Sequence, residues 1–369
     1  MTQTLANISF LRYCLGNNEY MSKVLPKIDW HQLYSFALKQ TVLGVCFEGI
    51  NRLEQEYPEK LKQNPIGREL LMNWMGIAQK IRRQNMKVNA VAGKLFAMLR
   101  EDGLRCCILK GQGNALMYPN PYSRTPGDID VWVNASRGDI TEYANKHFMI
   151  GDDIRYHHIE TSVDGVPVEL HFFPGIMNNP VYNARLQKWF KQNADLQSNV
   201  VSLPDGIGEI AIPTTAFNVI YQLAHLYHHF FDEGIGMRQI IDYYYVVSML
   251  NVNCEMLTWL QKELKHLGLW KFARAVMYVL HEALGLSEEK MIAPMDEKRG
   301  KLLLSEILNG GNFGQHFTKY CGFTHQSMGK KYFLKIWRNM HFVRYYPAEA
   351  LCEPIFRTWH FFWRMKNKK

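Results

Sequence analysis

Gly127-Asp128-Ile129-Asp130-Val131-Trp132-Val133 is the stretch on which the reading of this chain turns. In an extended strand, residues two apart share a face. Ile129, Val131 and Val133 then pack into a core while Asp128 and Asp130 project together. Two carboxylates fixed side by side repel each other unless a divalent cation sits between them. Asp-x-Asp on its own is common, and a strand end facing water can carry it without any site. The flanking sequence has to decide.

Upstream, Cys106-Cys107-Ile108-Leu109-Lys110-Gly111-Gln112-Gly113-Asn114-Ala115-Leu116 reads as a short strand, a glycine turn and a helix start. Backbone N–H groups at such a turn suit phosphate oxygens, and Lys110 adds a positive charge. This is neither a dinucleotide fingerprint, since Leu116 stands at the third glycine position, nor a P-loop, since the trailing Lys-Ser/Thr is missing. Downstream, Val166-Pro167-Val168-Glu169-Leu170-His171 forms the second arm of a hairpin about Asp164-Gly165, two residues that tolerate positive φ. If this arm pairs beside the Asp128–Asp130 strand, Glu169 becomes a third carboxylate. A trio of that kind holds two magnesium ions, manganese being an alternative. His171 reads as a hydrogen-bonded strand histidine, because magnesium prefers oxygen ligands.

Leu109-Lys110-Gly111, Tyr118-Pro119, Arg124, Gly127 to Val131 and Val168 to His171 together resemble an uncharacterised bacterial nucleotidyltransferase family within the DNA polymerase β-like nucleotidyltransferase superfamily. A later segment carrying His225, His229, Gly234, Gly236, Arg238 and Asp242 is similar too. The resemblance implies that Asp128, Asp130 and Glu169 are both catalytic and metal-binding. It implies that Lys110, Gly111, Gln112 and Gly113 face the phosphates of a nucleoside triphosphate such as ATP. Gln112 departs from the superfamily, which has Gly-Ser or Gly-Gly there, and cannot supply the serine hydroxyl. The implied reaction moves a nucleotidyl group to an acceptor (small molecule, protein or RNA) and releases pyrophosphate.

Other residues stay open at this stage. Arg124 either neutralises phosphate charge or forms a structural ion pair. His225 and His229, one helical turn apart, are buried histidines bonded to Asp242 or backbone, or they touch substrate. Arg238 and Asp242, also i to i+4, pair with each other or line an acceptor pocket with His171.

The fold expected is α+β: a small mixed sheet between helical regions. Residues 1–100 are expected to be helical, with one long amphipathic helix from about Arg68 to Leu99. Residues 101–200 form the nucleotidyltransferase core, and residues 201–369 a helical domain. With 47% hydrophobic residues the chain can bury sizeable cores. A net charge of +9 favours polyanionic partners without choosing among them. Seven cysteines at no metal or disulfide spacing read as reduced thiols of a cytoplasmic protein. The longest uncharged run holds too many polar groups to suggest membrane insertion. The basic, aromatic stretch 330–369 reads as a helical cap with aromatics turned inward; a nucleic-acid or membrane surface is the alternative. Three rival functions remain: a glycosyltransferase, a tRNA-directed nucleotidyltransferase and a non-catalytic nucleotide-binding scaffold.

Overall fold

The computed structural model describes residues 2–151, 154–194, 198–314 and 328–367. Helices α1 (Gln3–Cys14), α2 (Met21–Val24), α3 (Trp30–Lys39), α4 (Leu43–Glu56) and α5 (Pro58–Gln63) form the N-terminal layer. Asp29 caps α3 by accepting from the amides of His31 and Gln32, satisfying two donors the helix cannot use itself. The long α6 (Arg68–Glu101) follows as its apolar spacing predicts. Its two halves serve different cores. Leu70, Trp74 and Ile81 pack with the helical layers, whereas Val88, Val91, Leu95 and Leu99 pack under the sheet. A single rigid rod therefore joins both bodies of apolar side chains.

The sheet has the strand order β1-β2-β4-β3, from β1 (Cys106–Ile108), β2 (Ile129–Val133), β3 (His158–Val163) and β4 (Val166–His171). β1 runs antiparallel to β2, β2 parallel to β4, and β4 antiparallel to β3. The sheet is mixed, and the protein is α+β as expected. Asp164 and Gly165 close the β3–β4 hairpin with φ of 50° and 72°, the left-handed pair a two-residue turn requires. The parallel β2–β4 contact needs a crossover, and α8 (Arg137–His147) with β3 supplies it.

A second hairpin, β5 (Ser198–Ser202) with β6 (Glu209–Pro213), lies in a stretch from which no strand is predicted. β5 is mostly exposed, and Leu203 to Gly208 reads as turn residues, so no clear alternation marks the pair. Leu203, Ile210 and Ala211 nevertheless join the core formed by Ile108, Val131 and Leu170. This hairpin is a separate two-stranded sheet that packs on the same core.

Helices α7 (Gln112–Ala115), α9 (Pro180–Asn193), α10 (Thr215–Asp232), α11 (Met237–Ser248), α12 (Cys254–His266), α13 (Trp270–Leu284), α14 (Glu297–Gly310), α15 (Met328–Met340) and α16 (Pro347–Asn367) complete the described α-helices. The inward-facing cap expected of residues 330–369 is only partly realised. Phe342 and Tyr346 are buried, but Phe333, Trp337, Phe361 and Phe362 are exposed. Arg338 is buried instead, donating to the carbonyl of Phe230 at 2.9 Å. Sequence period alone could not foresee that exchange, because it depends on which carbonyls at the end of α10 are left without helical partners. Lys368 and Lys369 lie outside the described residues. The six described cysteines are free thiols. No described helix is long and apolar enough to cross a membrane.

Candidate active site

The site forms where β1 and β2 deliver their ends to one pocket. β2 is buried along its whole length, with Ile129, Val131 and Val133 in the core under the sheet. Asp128, just ahead of the strand, and Asp130, within it, both line the pocket, as do Glu169 and His171. The β2–β4 register sets Glu169 opposite Asp130 and His171 opposite Trp132.

The carboxylates stand in a charge network. Lys110 Nζ lies 3.1 Å from Asp130 Oδ1. His171 Nε2 reaches Asp130 Oδ1 at 3.1 Å and Glu169 Oε2 at 3.2 Å. Burial opposes the charge on Asp130, but Lys110 and the hydrogen bond from His171 outweigh it and hold the carboxyl below its usual range. Burial likewise opposes the charge on Glu169, and the His171 hydrogen bond leads the groups that keep it well below. Burial disfavours a charged His171, yet its bonds to Asp130 and Glu169 raise it to about 9. Burial also opposes Lys110, which the three carboxylates nonetheless raise. Two cations thus balance Asp130 and Glu169, and Asp128 is the surplus acid. The charge of Asp130, with burial second, pushes Asp128 up to about 6.

A metal ion fits these residues on two grounds. Asp130 Oδ2 is buried with no hydrogen-bond partner among the described residues, which is costly unless a ligand takes it. Asp128 carries a charge that its surroundings do not neutralise. One ligand grouping among the described residues contains Asp130, Glu169 and His171, and Asp128 falls outside it.

The glycine turn divides its residues between site and scaffold. Gly111, at φ 61°, reverses the chain after β1, and Lys110, Gly111 and Asn114 line the pocket. Gln112 and Gly113, expected to face phosphates through their amides, are not among the residues that line the pocket. The Gln112 amide donates to Asn89 Oδ1 on α6. A Cβ on Gly113 would stand 2.8 Å from Ile212 Cγ2, so glycine lets α7 close against β6.

Arg124 is ion-paired. Its Nε and Nη2 fork onto Asp242 at 2.8 and 2.7 Å, and Tyr118 donates to the same carboxylate at 2.7 Å. Both oxygens of Asp242 meet Arg124, and Asp242 and Arg238 both line the pocket, the second of the two placements left open from sequence. Arg238 Nη1 instead donates to the Thr125 carbonyl at 3.2 Å, so two arginines pin the loop that leads into Asp128. His225 Nε2 lies 3.1 Å from Lys110 Nζ and accepts from it; burial, then Lys110, keeps this imidazole neutral. His229 packs on His225 with ring centroids 4.3 Å apart, and burial lowers it to about 3.

His157, His158 and Glu160 also line the pocket and were not singled out from sequence. The hairpin turn held the signal. Pairing counted back from Asp164-Gly165 sets His158 opposite His171.

A search of the curated proteins finds no match. Among solved structures, one of an antigenic nucleotidyltransferase-like protein from Paracoccidioides brasiliensis is similar at 13% identity, covering 57% of this chain and 94% of that one. Its TM-score of 0.38 is too low to carry an argument. The family model described as uncharacterised nucleotidyltransferase matches residues 26–285, most of the chain and all of the site named above. The chain belongs to that uncharacterised nucleotidyltransferase family.

Proposed function

We propose that this protein transfers a nucleotidyl group from a nucleoside triphosphate to an acceptor in a magnesium-dependent reaction that releases pyrophosphate. The observation that carries the reading is the parallel β2–β4 register, with Glu169 opposite Asp130, an unpartnered oxygen on Asp130, and a surplus acid at Asp128. Asp128, Asp130 and Glu169 would hold the metal, two ions in the full arrangement. When bound, magnesium neutralises the phosphates and lowers the pKa of the attacking hydroxyl.

The chain's own groups supply the rest. Lys110 offers a positive charge to phosphate oxygens, and Gly111 leaves room for them to approach the backbone. The acceptor oxygen attacks the α-phosphorus as the bond to the departing pyrophosphate breaks. Glu169 keeps a 22% exposed side chain while that of Asp130 is 1% exposed, so Glu169 is the acid an acceptor hydroxyl can reach. Its carboxyl is held ionised and is a weak base. It orients the hydroxyl and receives the proton only as the new bond forms. Arg124 and Arg238 act through the loop they hold, keeping Asp128 at the pocket.

The test is pyrophosphate release from each of the four ribonucleoside triphosphates, with cell extract as the acceptor source. Wild type should release it with magnesium and not with a chelator, and Asp128→Ala/Asp130→Ala should release none. Labelled product sorted into RNA, protein and small molecules names the acceptor class. Absence of release together with absence of magnesium-dependent nucleotide binding would leave the non-catalytic scaffold.

A further inference from the structure

Beside the carboxylates, on the β3 side, the pocket wall is made of imidazoles. His157 precedes β3, His158 opens it, and His171 lies opposite on β4. Their ring centroids are 4.3 Å (His157–His158), 5.2 Å (His158–His171) and 5.6 Å (His157–His171) apart. Each offers a ring nitrogen within 4.8 Å of those of the other two. The Nδ1 atom of all three is buried with no hydrogen-bond partner among the described residues. Three orphaned nitrogens in mutually contacting rings are expensive.

The opposite nitrogens are occupied in a telling way. His171 Nε2 sits on Asp130 and Glu169, and His158 Nε2 faces Glu160 Oε1 at 3.4 Å. A histidine that ligates a metal donates its other ring N–H to a carboxylate, which fixes the tautomer and aims the free lone pair. His171 and His158 both show that arrangement. The His158 Nδ1 atom stands 3.3 Å from Glu169 Oε2, outside hydrogen-bond geometry. That carboxylate is near enough to join a shared ion. Imidazole nitrogens suit zinc, cobalt and nickel and are poor ligands for magnesium.

We propose that His157, His158 and His171 bind one divalent transition-metal ion of the zinc class, with Glu169 completing the shell. This ion is separate from the magnesium assigned to Asp128, Asp130 and Glu169, with Glu169 standing between the two sites, and the proposal does not depend on nucleotidyl transfer. It also gives His171 a role. With the metal on Nδ1, the Nε2 proton is locked onto Asp130 and Glu169, holding both carboxylates in place.

The probe is cobalt(II), whose d–d absorption reports nitrogen ligation directly. Full-length protein stripped with a chelator is titrated with cobalt, alone and in a large excess of magnesium. Wild type should take up one ion with d–d bands that magnesium does not remove. His157→Gln and His158→Gln should each weaken uptake by at least ~10-fold, whereas Asp128→Asn should keep the spectrum. Circular dichroism of each metal-free variant checks the fold, and His157, only partly buried, is the milder site. Absence of d–d bands in wild type, loss of the bands to magnesium, or uptake unchanged in both histidine variants overturns the proposal. Cobalt binding without pyrophosphate release sinks only the transfer reading, and the converse sinks only this site.

Discussion

Replacing Asp128 by asparagine should stabilise the metal-free protein while abolishing its use of magnesium. Asp128 is the acid left over once Lys110 and His171 have balanced Asp130 and Glu169, and its carboxyl is raised from 3.8 to about 6, chiefly by the charge of Asp130. At about 1.4 kcal/mol per pH unit, that rise amounts to a cost of about 3 kcal/mol when the group is ionised. The sign follows from linkage. A carboxyl whose folded pKa is raised favours the folded state below its unfolded pKa and penalises it progressively as pH rises towards the folded value. At about pH 8 the full penalty is present, and at about pH 5 roughly half of it remains. Asparagine keeps the size and loses the charge, so the gain expected at about pH 8 is about 1–3 kcal/mol, shrinking by about half at about pH 5. Urea unfolding of both proteins in chelator at the two pH values reads it. Added magnesium should reverse the order, since a ligand that binds the native state stabilises wild type by RT ln(1 + [L]/Kd) and the variant by less. A variant less stable than wild type at about pH 8 in chelator, or a difference independent of pH, would refute the surplus-charge account.

Two further outcomes probe the scaffold around the site. Arg124→Met or Asp242→Asn alone should cost about 3–5 kcal/mol, because each strands a buried charge or donor, while Arg124→Met with Asp242→Leu should recover part of the loss; a cost below about 1 kcal/mol for both singles would mean that the fork seen at 2.7–2.8 Å contributes little. Gly113→Ala should lose about 1–3 kcal/mol in thermal unfolding, because the added methyl meets Ile212 at 2.8 Å. Ile212→Ala in the same chain should restore much of it, and failure to do so would place the strain elsewhere.

Much of this molecule was legible from local pattern. The alternation in Ile129-Asp130-Val131-Trp132-Val133 names one buried strand face and one acidic end, and Asp164-Gly165 fixes a hairpin because both residues accept positive φ. The long period of α6 was equally clear. Such signals survive because strand alternation, turn chemistry and helical period are properties of neighbouring residues. The resemblance carried by Lys110, Asp128, Asp130 and Glu169 agrees with the family the chain belongs to.

Tertiary packing decided the rest. Sequence could pose the pairing of β4 with β2 only as a condition, and the parallel register satisfied it. Gln112 and Gly113 follow Lys110 directly, yet a one-turn helix points them at Asn89 and Ile212, residues distant in sequence. Asp242 lies four residues from Arg238, but its carboxylate is taken by Arg124 from another element, because the planar guanidinium fork fits both oxygens in a buried setting. The β5–β6 hairpin joins the sheet core through only a few buried side chains, too few to leave a pattern. The sequence determined which residues could carry chemistry; the fold determined which of them share a pocket, since burial and charge balance arise only when distant segments meet.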